Sequence, residues 1–346
     1  MSLSCVLGDV SGAQPEARLE LEGKIPLGDV KGRIDHLTLD LQRQRLFVAE
    51  LGNNTVGVLD LESRKLLQRL SGFDEPQGVA WSSRVDRLYV ASGGDGMLRT
   101  FAGESLAKGQ AIALGSDADN VRLDQLQENV YVGVGSGAIA MLDARTLQQR
   151  GNVAFSGHPE SYQLESQGMR AFVNVPDARQ VIVLDRASRK VLARWPLDFA
   201  ANFPLALDEA GSRIFVVFRS PATLGVYSTL DGSTLGRVKT CGDADDVFLD
   251  ASRGLVYVIC GEGRVDIFET RGAALDKVGS MVTAPGARTG YFSPDLDRLY
   301  VAVRASGAEP AAIWVLRASN DIADVKEGGD ENAKTSAAVR HPDHHD

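Results

Sequence analysis

One short phrase recurs seven times along the chain at a nearly constant interval. Each copy has two apolar residues, the second of them Tyr or Phe, followed by a valine that we call the repeat valine. The repeat valines are Val48, Val90, Val132, Val173, Val216, Val258 and Val301. The steps between them are 42, 42, 41, 43, 42 and 43 residues. So regular a period indicates a repeat architecture, in which each copy is one structural unit.

Each unit contains the pattern of four short strands. In the first unit, apolar or alternating runs cover residues 37–40, 45–48, 54–60 and 65–70, and turn residues such as Asp, Asn and Gly separate them. Four antiparallel strands in about 42 residues match one blade of a β-propeller. The sequence therefore predicts an all-β protein, a seven-bladed β-propeller of four-stranded antiparallel blades. We label the strands of a blade A to D from the central channel outward.

The two ends of the repeat region predict how the ring closes. The last unit has no fourth strand pattern after residues 313–317, whereas residues 17–27 form a spare strand pattern at the other end. A ring that stays open leaves two sheet edges unpaired, so we expect the N-terminal strand to complete blade seven. The predicted organisation is a flexible segment at 1–16, the propeller at 17–317 and a disordered acidic tail at 318–346.

Composition excludes several classes of protein. The net charge is −9, which argues against a nucleic-acid partner. No apolar run approaches the roughly 20 residues of a membrane-spanning helix, so we expect a soluble protein without a membrane span. Three cysteines cannot supply a disulfide framework, although a single disulfide between Cys241 and Cys260 stays open as an alternative. The first residues show no signal peptide, which leaves the compartment undetermined.

The first unit carries a resemblance to a known family. Phe47-Val48-Ala49-Glu50, followed by residues 53–60 (NNTVGVLD), is similar to the Tyr-Val-Thr-Asn phrase of the YVTN-repeat family, the YncE-type bacterial seven-bladed propellers. The resemblance covers roughly residues 32–317. It implies the propeller fold, a protein that is often periplasmic or otherwise exported, and binding of a ligand, metal or nucleic acid. Related lactonase-type propellers include hydrolases and isomerases.

The repeat also predicts which residues surround the mouth of the channel, where the A strands begin. Thirteen and twelve residues before each repeat valine, most positions are polar and several are carboxylates. Such polar clusters in a concave site are typical of ligand binding. The candidate ligand-binding residues are Asp35, His36, Gln77, Asp119, Asn120, Glu160, Ser161, Asn202, Asp245, Asp246, Arg288 and Thr289.

The favoured function is a binding protein with a polar, acidic ligand or cation site at the top centre of the channel. Asp119, Glu160 and Asp245 are the candidate ligands of a divalent cation such as Ca²⁺, which prefers oxygen donors. Arg288 could instead anchor a small polar molecule, a polyol or an acid. A protein partner on the top face is a further candidate. A purely structural role, in which the polar ring caps backbone N–H groups and water fills the channel, is the competing interpretation.

An enzyme is the alternative. A lactonase-type hydrolase would hold a metal with the Asn, Asp and Glu residues of the same central site, and an isomerase would use His36 or a carboxylate as base. No catalytic residue can be assigned from the sequence. Only His36 and His158 precede the tail, so a multi-histidine metal centre is excluded. His158 lies in a connector that could reach the mouth.

Two expectations concern carboxylates. Asp40, Asp124, Asp208 and Asp250 recur eight residues before a repeat valine, which predicts structural A–B turns. Carboxylates crowded at the mouth must be protonated, paired or neutralised by a cation. We therefore expect Asp119→Asn or Asp245→Asn to stabilise the free protein and abolish ligand binding.

Overall fold

Seven four-stranded antiparallel sheets, one for each repeat, form the protein. The structure is a computed structural model and describes residues 19–135, 137–271 and 274–319. Each innermost strand contacts the innermost strand of the next blade, and the last contacts the first, so the sheets form a closed ring. The predicted fold class is confirmed. The predicted flexible segment at 1–16, and the predicted acidic tail from residue 320 on, lie outside the described residues.

The first four blades follow the order of the repeats. Blade one contains β2 (Leu37–Asp40), β3 (Arg45–Glu50), β4 (Thr55–Asp60) and β5 (Lys65–Ser71). Blade two contains β6 (Pro76–Ser82), β7 (Arg87–Ser92), β8 (Met97–Ala102) and β9 (Ala107–Ala113). Blade three contains β10 (Ala118–Asp124), β11 (Asn129–Val134), β12 (Ala138–Asp143) and β13 (Gln149–Ala154). Blade four contains β14 (Ser161–Leu164), β15 (Arg170–Val175), β16 (Gln180–Asp185) and β17 (Lys190–Pro196).

The remaining blades complete the ring. Blade five contains β18 (Ala200–Asp208), β19 (Arg213–Ser220), β20 (Ala222–Ser228) and β21 (Thr234–Lys239). Blade six contains β22 (Ala244–Asp250), β23 (Leu255–Cys260), β24 (Arg264–Arg271) and β25 (Ala274–Val282). Blade seven contains β26 (Gly290–Ser293), β27 (Arg298–Val303), β28 (Ala311–Ala318) and the N-terminal strand β1 (Leu19–Gly28).

Two short 3₁₀ helices, Leu51–Asn53 and Pro176–Ala178, lie in B–C connections. Within the described ranges, neither helix has the length or apolar character needed to cross a membrane.

The core is divided among the contacts between blades. Seven apolar clusters fill the seven gaps between neighbouring blades. The aromatic residue of each repeat phrase is buried in one of these clusters; Phe47, for example, stacks on Trp81 of blade two with ring centroids 5.4 Å apart. The regular period along the sequence therefore places one large side chain in every gap, and burial of these side chains drives the blades together.

The N-terminal strand completes the last blade. β1 pairs antiparallel with β28, and Ile25 lies opposite Ile313. Ile25 and Leu27 are fully buried in the cluster that joins blade seven to blade one, whereas Leu21 on the same strand is 40% exposed. The strand thus covers the edge of β28 and also supplies side chains to the seam of the ring.

The turns between A and B strands are held by the predicted aspartates. Oδ1 of Asp124 accepts the backbone N–H groups of Leu126 (3.0 Å) and Gln127 (3.1 Å). Asp40, Asp208 and Asp250 accept turn N–H groups in the same way, which confirms their structural role.

Cys241 and Cys260, the pair that the sequence left open, form a disulfide with Cα atoms 5.8 Å apart. The bond joins the entry to blade six with the end of its B strand, next to the mouth of the channel.

We predict that the seam of the ring depends on the inward face of β1. Ile25→Ala removes a fully buried side chain and should lower the free energy of unfolding by about 2–5 kcal/mol. Leu21→Ala, on the outward face, should change it by much less. Urea unfolding followed by far-ultraviolet circular dichroism measures both values. Equal effects of the two substitutions, or a truncation beginning at Lys31 that melts like the full chain, would contradict the role of β1 in closure.

Candidate functional site

Irregular pairing at the start of the A strands directs polar side chains to the mouth. In β10, Asp119 pairs with Gly133 and Val121 pairs with Val132, so Asn120 is an extra residue in a bulge, with a positive φ of 31°. β22 has the same irregularity at Asp245. A bulge re-aims the side chains around it. Two consecutive positions of one strand can therefore both line the channel.

Two adjoining cavities make up the mouth. An inner cavity of about 30 Å³ is lined by eight of the predicted residues: Asp35, His36, Asp119, Asn120, Glu160, Ser161, Asp245 and Asp246. An outer cavity of about 290 Å³ adds two more, Gln77 and Arg288. Seven-fold geometry thus gathers side chains that lie far apart in the sequence.

The other two candidates lie elsewhere. Asn202 is fully buried and donates through Nδ2 to Oδ1 of Asn174 and to the carbonyl of Gln180, both at 3.3 Å. Thr289 is also buried, and its hydroxyl donates to the carbonyl of Ile34 at 3.2 Å. These contacts tie neighbouring blades together, and neither residue lines the cavities of the mouth.

Arginines neutralise one part of the mouth. Arg33 Nη2 lies 2.8 Å from Oδ2 of Asp35. Asp245 is held from two sides, by Nη2 of Arg219 and by Nε of Arg288 at 2.9 Å. Asp243 approaches the same two arginines, 3.0 Å from Arg288. The expected sign for Asp245→Asn is therefore reversed, because this substitution would remove the carboxylate that both guanidinium groups share.

Two carboxylates of the same mouth, Asp119 and Glu160, have no such close partner among the described residues. Ligand atoms of Asp119, His158 and Glu160 all lie within 4.8 Å of one another. Among the ion pairs of the described residues, none joins an arginine or lysine to Asp119 or Glu160. Nδ1 of His158 lies 3.9 Å from Asp117, beyond hydrogen-bond distance. We call this trio, which has no direct ion pair with an arginine or lysine among the described residues, the Asp119–His158–Glu160 cluster.

Buried polar atoms without partners lie in the same region. Asn120 is 2% exposed; its Nδ2 donates to the carbonyl of Glu160, but its Oδ1 has no hydrogen-bond partner in the part of the chain that the structure describes. Nδ1 of His158 is also buried without a partner there. Buried polar atoms in folded proteins are nearly always satisfied, so such atoms indicate a missing ligand, ion or water.

Burial changes the protonation of the carboxylates. It raises the pKa of Glu160 to about 8; the charges of Asp119 and Asp245 add to the shift and Arg219 opposes it. Burial also raises the pKa of Asp35 well above its ordinary value, although Arg33 acts in the opposite direction. Part of the acidic mouth is therefore protonated near neutral pH when no cation is bound.

His36 and Asp246 form the floor of the mouth. Nδ1 of His36 lies 3.9 Å from Oδ1 of Asp246, and its Nε2 lies 3.8 Å from Oδ1 of Asp35. The other carboxylate oxygen of Asp246 accepts the backbone N–H of Gly290 at 2.8 Å. Burial raises the pKa of Asp246 to about 7, while His36 and this N–H lower it.

Four residues at the mouth that were not among the ligand-binding candidates share one register. Arg33, Asp117, His158 and Asp243 each lie fifteen residues before a repeat valine, two positions before the A-strand residues that were selected. That register could have identified them. Asp117 and Asp243 have positive φ values, 48° and 58°, which shows a turn role for those two positions as well. Arg219 lies at the end of β19 and has no such signal.

The fold and the mouth define a seven-bladed β-propeller with a polar, charged opening. No family model matches the chain. Part of it is 26% identical over 189 residues to the uncharacterized protein YncE of Salmonella typhimurium, and equally to that of Salmonella typhi. The match covers 52% of this chain and 52% of the relative, so the chain spans about half the length of the curated relatives it matches. This similarity supports a YncE-like propeller.

Solved structures show the same fold. One chain from a crystal structure of a mitotic checkpoint complex has a TM-score of 0.72 at 17% identity; the match covers 92% of this chain and 96% of that chain. A chain of hydrazine synthase from Kuenenia stuttgartiensis has a TM-score of 0.69 at 16% identity; the match covers 85% of this chain and 96% of that chain. Identities this low establish the architecture alone.

We predict that Asp246 makes the protein less stable as pH rises. Its pKa is about 7 when folded and near 4 when unfolded, so between these values the unfolded chain releases a proton that the folded chain keeps. Asp246 therefore contributes stability that is fully present below about pH 4 and is lost as the pH rises through 7. Asp246→Asn removes this loss and should be more stable than the parent at pH 8, on the order of 1–3 kcal/mol.

Urea unfolding from pH 4.5 to pH 9 measures the effect. The difference between Asp246→Asn and the parent should shrink toward the acid end of the series. The exposed residue Glu104 provides the control, since Glu104→Gln should follow the parent at every pH. A difference that stays constant with pH would show that Asp246 does not titrate as the structure indicates.

Proposed function

We propose that this protein is a binding protein whose channel mouth holds a divalent cation between Asp119, His158 and Glu160. The observation that carries the proposal is the convergence of their ligand atoms, all within 4.8 Å of one another, at carboxylates that form no direct ion pair with an arginine among the described residues. Metal–ligand bonds of about 2.0–2.2 Å allow one ion to reach all three side chains after small rotamer adjustments.

Three features of the surroundings support a cation there. Oδ1 of Asn120 is a buried acceptor without a donor in the described chain, and a carbonyl oxygen is a suitable further ligand. Nδ1 of His158 has no partner in the described chain either. Glu160 is protonated more readily than an ordinary glutamate because of burial and neighbouring carboxylates, and a positive ion would relieve this cost.

The donor set favours a particular kind of ion. One imidazole nitrogen with two carboxylate oxygens suits Zn²⁺ or Mn²⁺ better than Ca²⁺, which prefers six to eight oxygens. Asp245, the third ligand that the sequence suggested, is engaged by Arg219 and Arg288. His158 takes its place in the proposed site, so the proposal differs from an all-oxygen Ca²⁺ site in one ligand.

Calorimetric titration of the full chain with Zn²⁺, Mn²⁺, Mg²⁺ and Ca²⁺ tests the site. His341, His344 and His345 of the tail are replaced by alanine in every sample, because they could bind Zn²⁺ independently. We expect one ion per chain, with Zn²⁺ or Mn²⁺ bound most tightly. Absence of binding by all four ions would refute the cation site.

Substitutions then locate the ion. Glu160→Gln and His158→Gln should each weaken binding at least about tenfold, because a ligand is lost from a site of three or four. Glu104→Gln on the surface and His36→Gln at the floor of the mouth are matched controls that should retain affinity. Equal loss in His36→Gln and His158→Gln would place the ion elsewhere in the mouth.

A hydrolase is the second candidate function, and Glu160 favours it. Glu160 belongs to the Asp119–His158–Glu160 cluster, and while no cation is bound its carboxyl group, whose pKa is raised to about 8, is suited to proton transfer near neutral pH. Proton release from γ- and δ-lactones, followed with and without the tightest-binding ion, tests this alternative. Hydrolysis that is lost in Glu160→Gln but kept in Glu104→Gln would establish an enzyme, and no hydrolysis would leave the binding role.

The top face is also the place we propose for a protein partner. One structural neighbour belongs to a mitotic checkpoint complex, so a propeller of this architecture is compatible with assembly. The fold supports a binding or scaffold role in general. The small, charged cavities of the mouth favour a small ligand over a protein as the molecule bound there.

A further inference from the structure

A second cavity lies in the channel below the mouth. It has a volume of about 310 Å³, and six of the seven blades contribute to its wall. Its main ring comes from the position ten residues before the repeat valine: Thr38, Ala80, Arg122, Gln163, Phe248 and Tyr291. His36 and Asp246 line both this cavity and the inner cavity of the mouth, so they form the boundary between the two.

The wall of this lower cavity is largely aromatic and aliphatic. Phe248 and Tyr291 are only partly buried, which leaves ring surface open to the channel. Trp81 contributes a third aromatic group, which is held in place by stacking on Phe47. Flat apolar surfaces of this kind bind aromatic rings by burial and stacking.

Arg122 gives the cavity a positive charge. Its Nε donates to the carbonyl of Tyr162 at 3.2 Å, and its Nη1 donates to the carbonyl of Val121 at 3.0 Å. These bonds hold the guanidinium in place and do not use Nη2. None of the ion pairs of the described residues includes Arg122, whereas the arginines of the mouth are all paired with carboxylates.

One acidic residue, Asp246, also lines this cavity. Asp246 lies at the boundary, and one of its carboxylate oxygens accepts the Gly290 N–H. Gln163 donates through Nε2 to the carbonyl of Leu205 at 3.1 Å, which holds the amide in place and leaves its oxygen as an acceptor.

We infer that the lower cavity is a second binding site, which takes a small aromatic carboxylic acid with its carboxylate on Arg122 and its ring against Phe248 and Tyr291. A guanidinium without a carboxylate partner is well suited to this role, because it can donate to a carboxylate in charge-assisted hydrogen bonds. The ligand is opposite in charge to the ion proposed for the mouth, and the two sites share only His36 and Asp246.

Calorimetric titration of the full chain with indole-3-acetate and benzoate tests the inference. The neutral amides indole-3-acetamide and benzamide are matched probes of the same shape. At pH 7.5 we expect the acids to bind at least about tenfold more tightly than the amides, since only the acids form the charge-assisted contact. If neither acid binds, or if each acid and its amide bind equally, the inference is overturned.

Substitutions assign the contact to Arg122. Arg122→Gln should weaken binding of the acid about tenfold or more and leave the amide nearly unchanged. Arg194→Gln, on the exposed face of the outer strand β17, is the matched control and should bind both as the parent does. Phe248→Leu should weaken acid and amide alike. Unchanged acid binding in Arg122→Gln would overturn the assignment.

Two further measurements test whether the Arg122 variant is folded and whether the two sites bind independently. Thermal melting checks that Arg122→Gln is folded; if it is not, Arg122→Lys keeps the charge without the planar fork and should bind the acid with intermediate affinity. Divalent-cation binding at the mouth should be the same in Arg122→Gln as in the parent. The failure of one site can therefore be distinguished from the failure of the other.

Discussion

Closure of the ring is the constraint on which the rest of the structure depends. Each blade is a single sheet and can bury its two faces only against its neighbours, so all seven apolar clusters exist only when the ring is complete. The N-terminal strand supplies the outer edge of blade seven and packs Ile25 and Leu27 into the seam with blade one. The same closure brings seven A strands around one axis and thereby creates both the mouth and the lower cavity.

Charge in the channel is arranged unevenly. Arg219 and Arg288 neutralise Asp245, and Arg33 neutralises Asp35, while the Asp119–His158–Glu160 cluster has no such partner among the described residues. A uniform ring of paired charges would point to a structural cap. The uneven arrangement instead leaves the carboxylates of Asp119 and Glu160 without an arginine partner. A bound cation would offset the free-energy cost of burying their negative charge.

The channel contains two regions that differ in the charge of their lining residues. Most charged residues of the inner mouth cavity are acidic. In the lower cavity the positive charge is the Arg122 guanidinium, which is held by two backbone carbonyls and lies among aromatic residues. His36 and Asp246 separate the two, and the protonation of Asp246 changes near neutral pH.

The sequence by itself determined the fold, the number of blades and the aspartates of the A–B turns, and ten of its twelve candidate residues line the mouth, because all of these follow from one period of about 42 residues. Only the tertiary structure decided which carboxylates have partners. The contact of Arg288 with Asp243 joins residues 45 positions apart, and the contact of Arg219 with Asp245 depends on a B–C connection and a bulge. Thr289 occupies a mouth position in the repeat, and Asn202 lies one residue before such a position, but both side chains contact the neighbouring blade. A repeat fixes backbone position, whereas pairing of side chains across blades depends on rotamers and local irregularities that no period records.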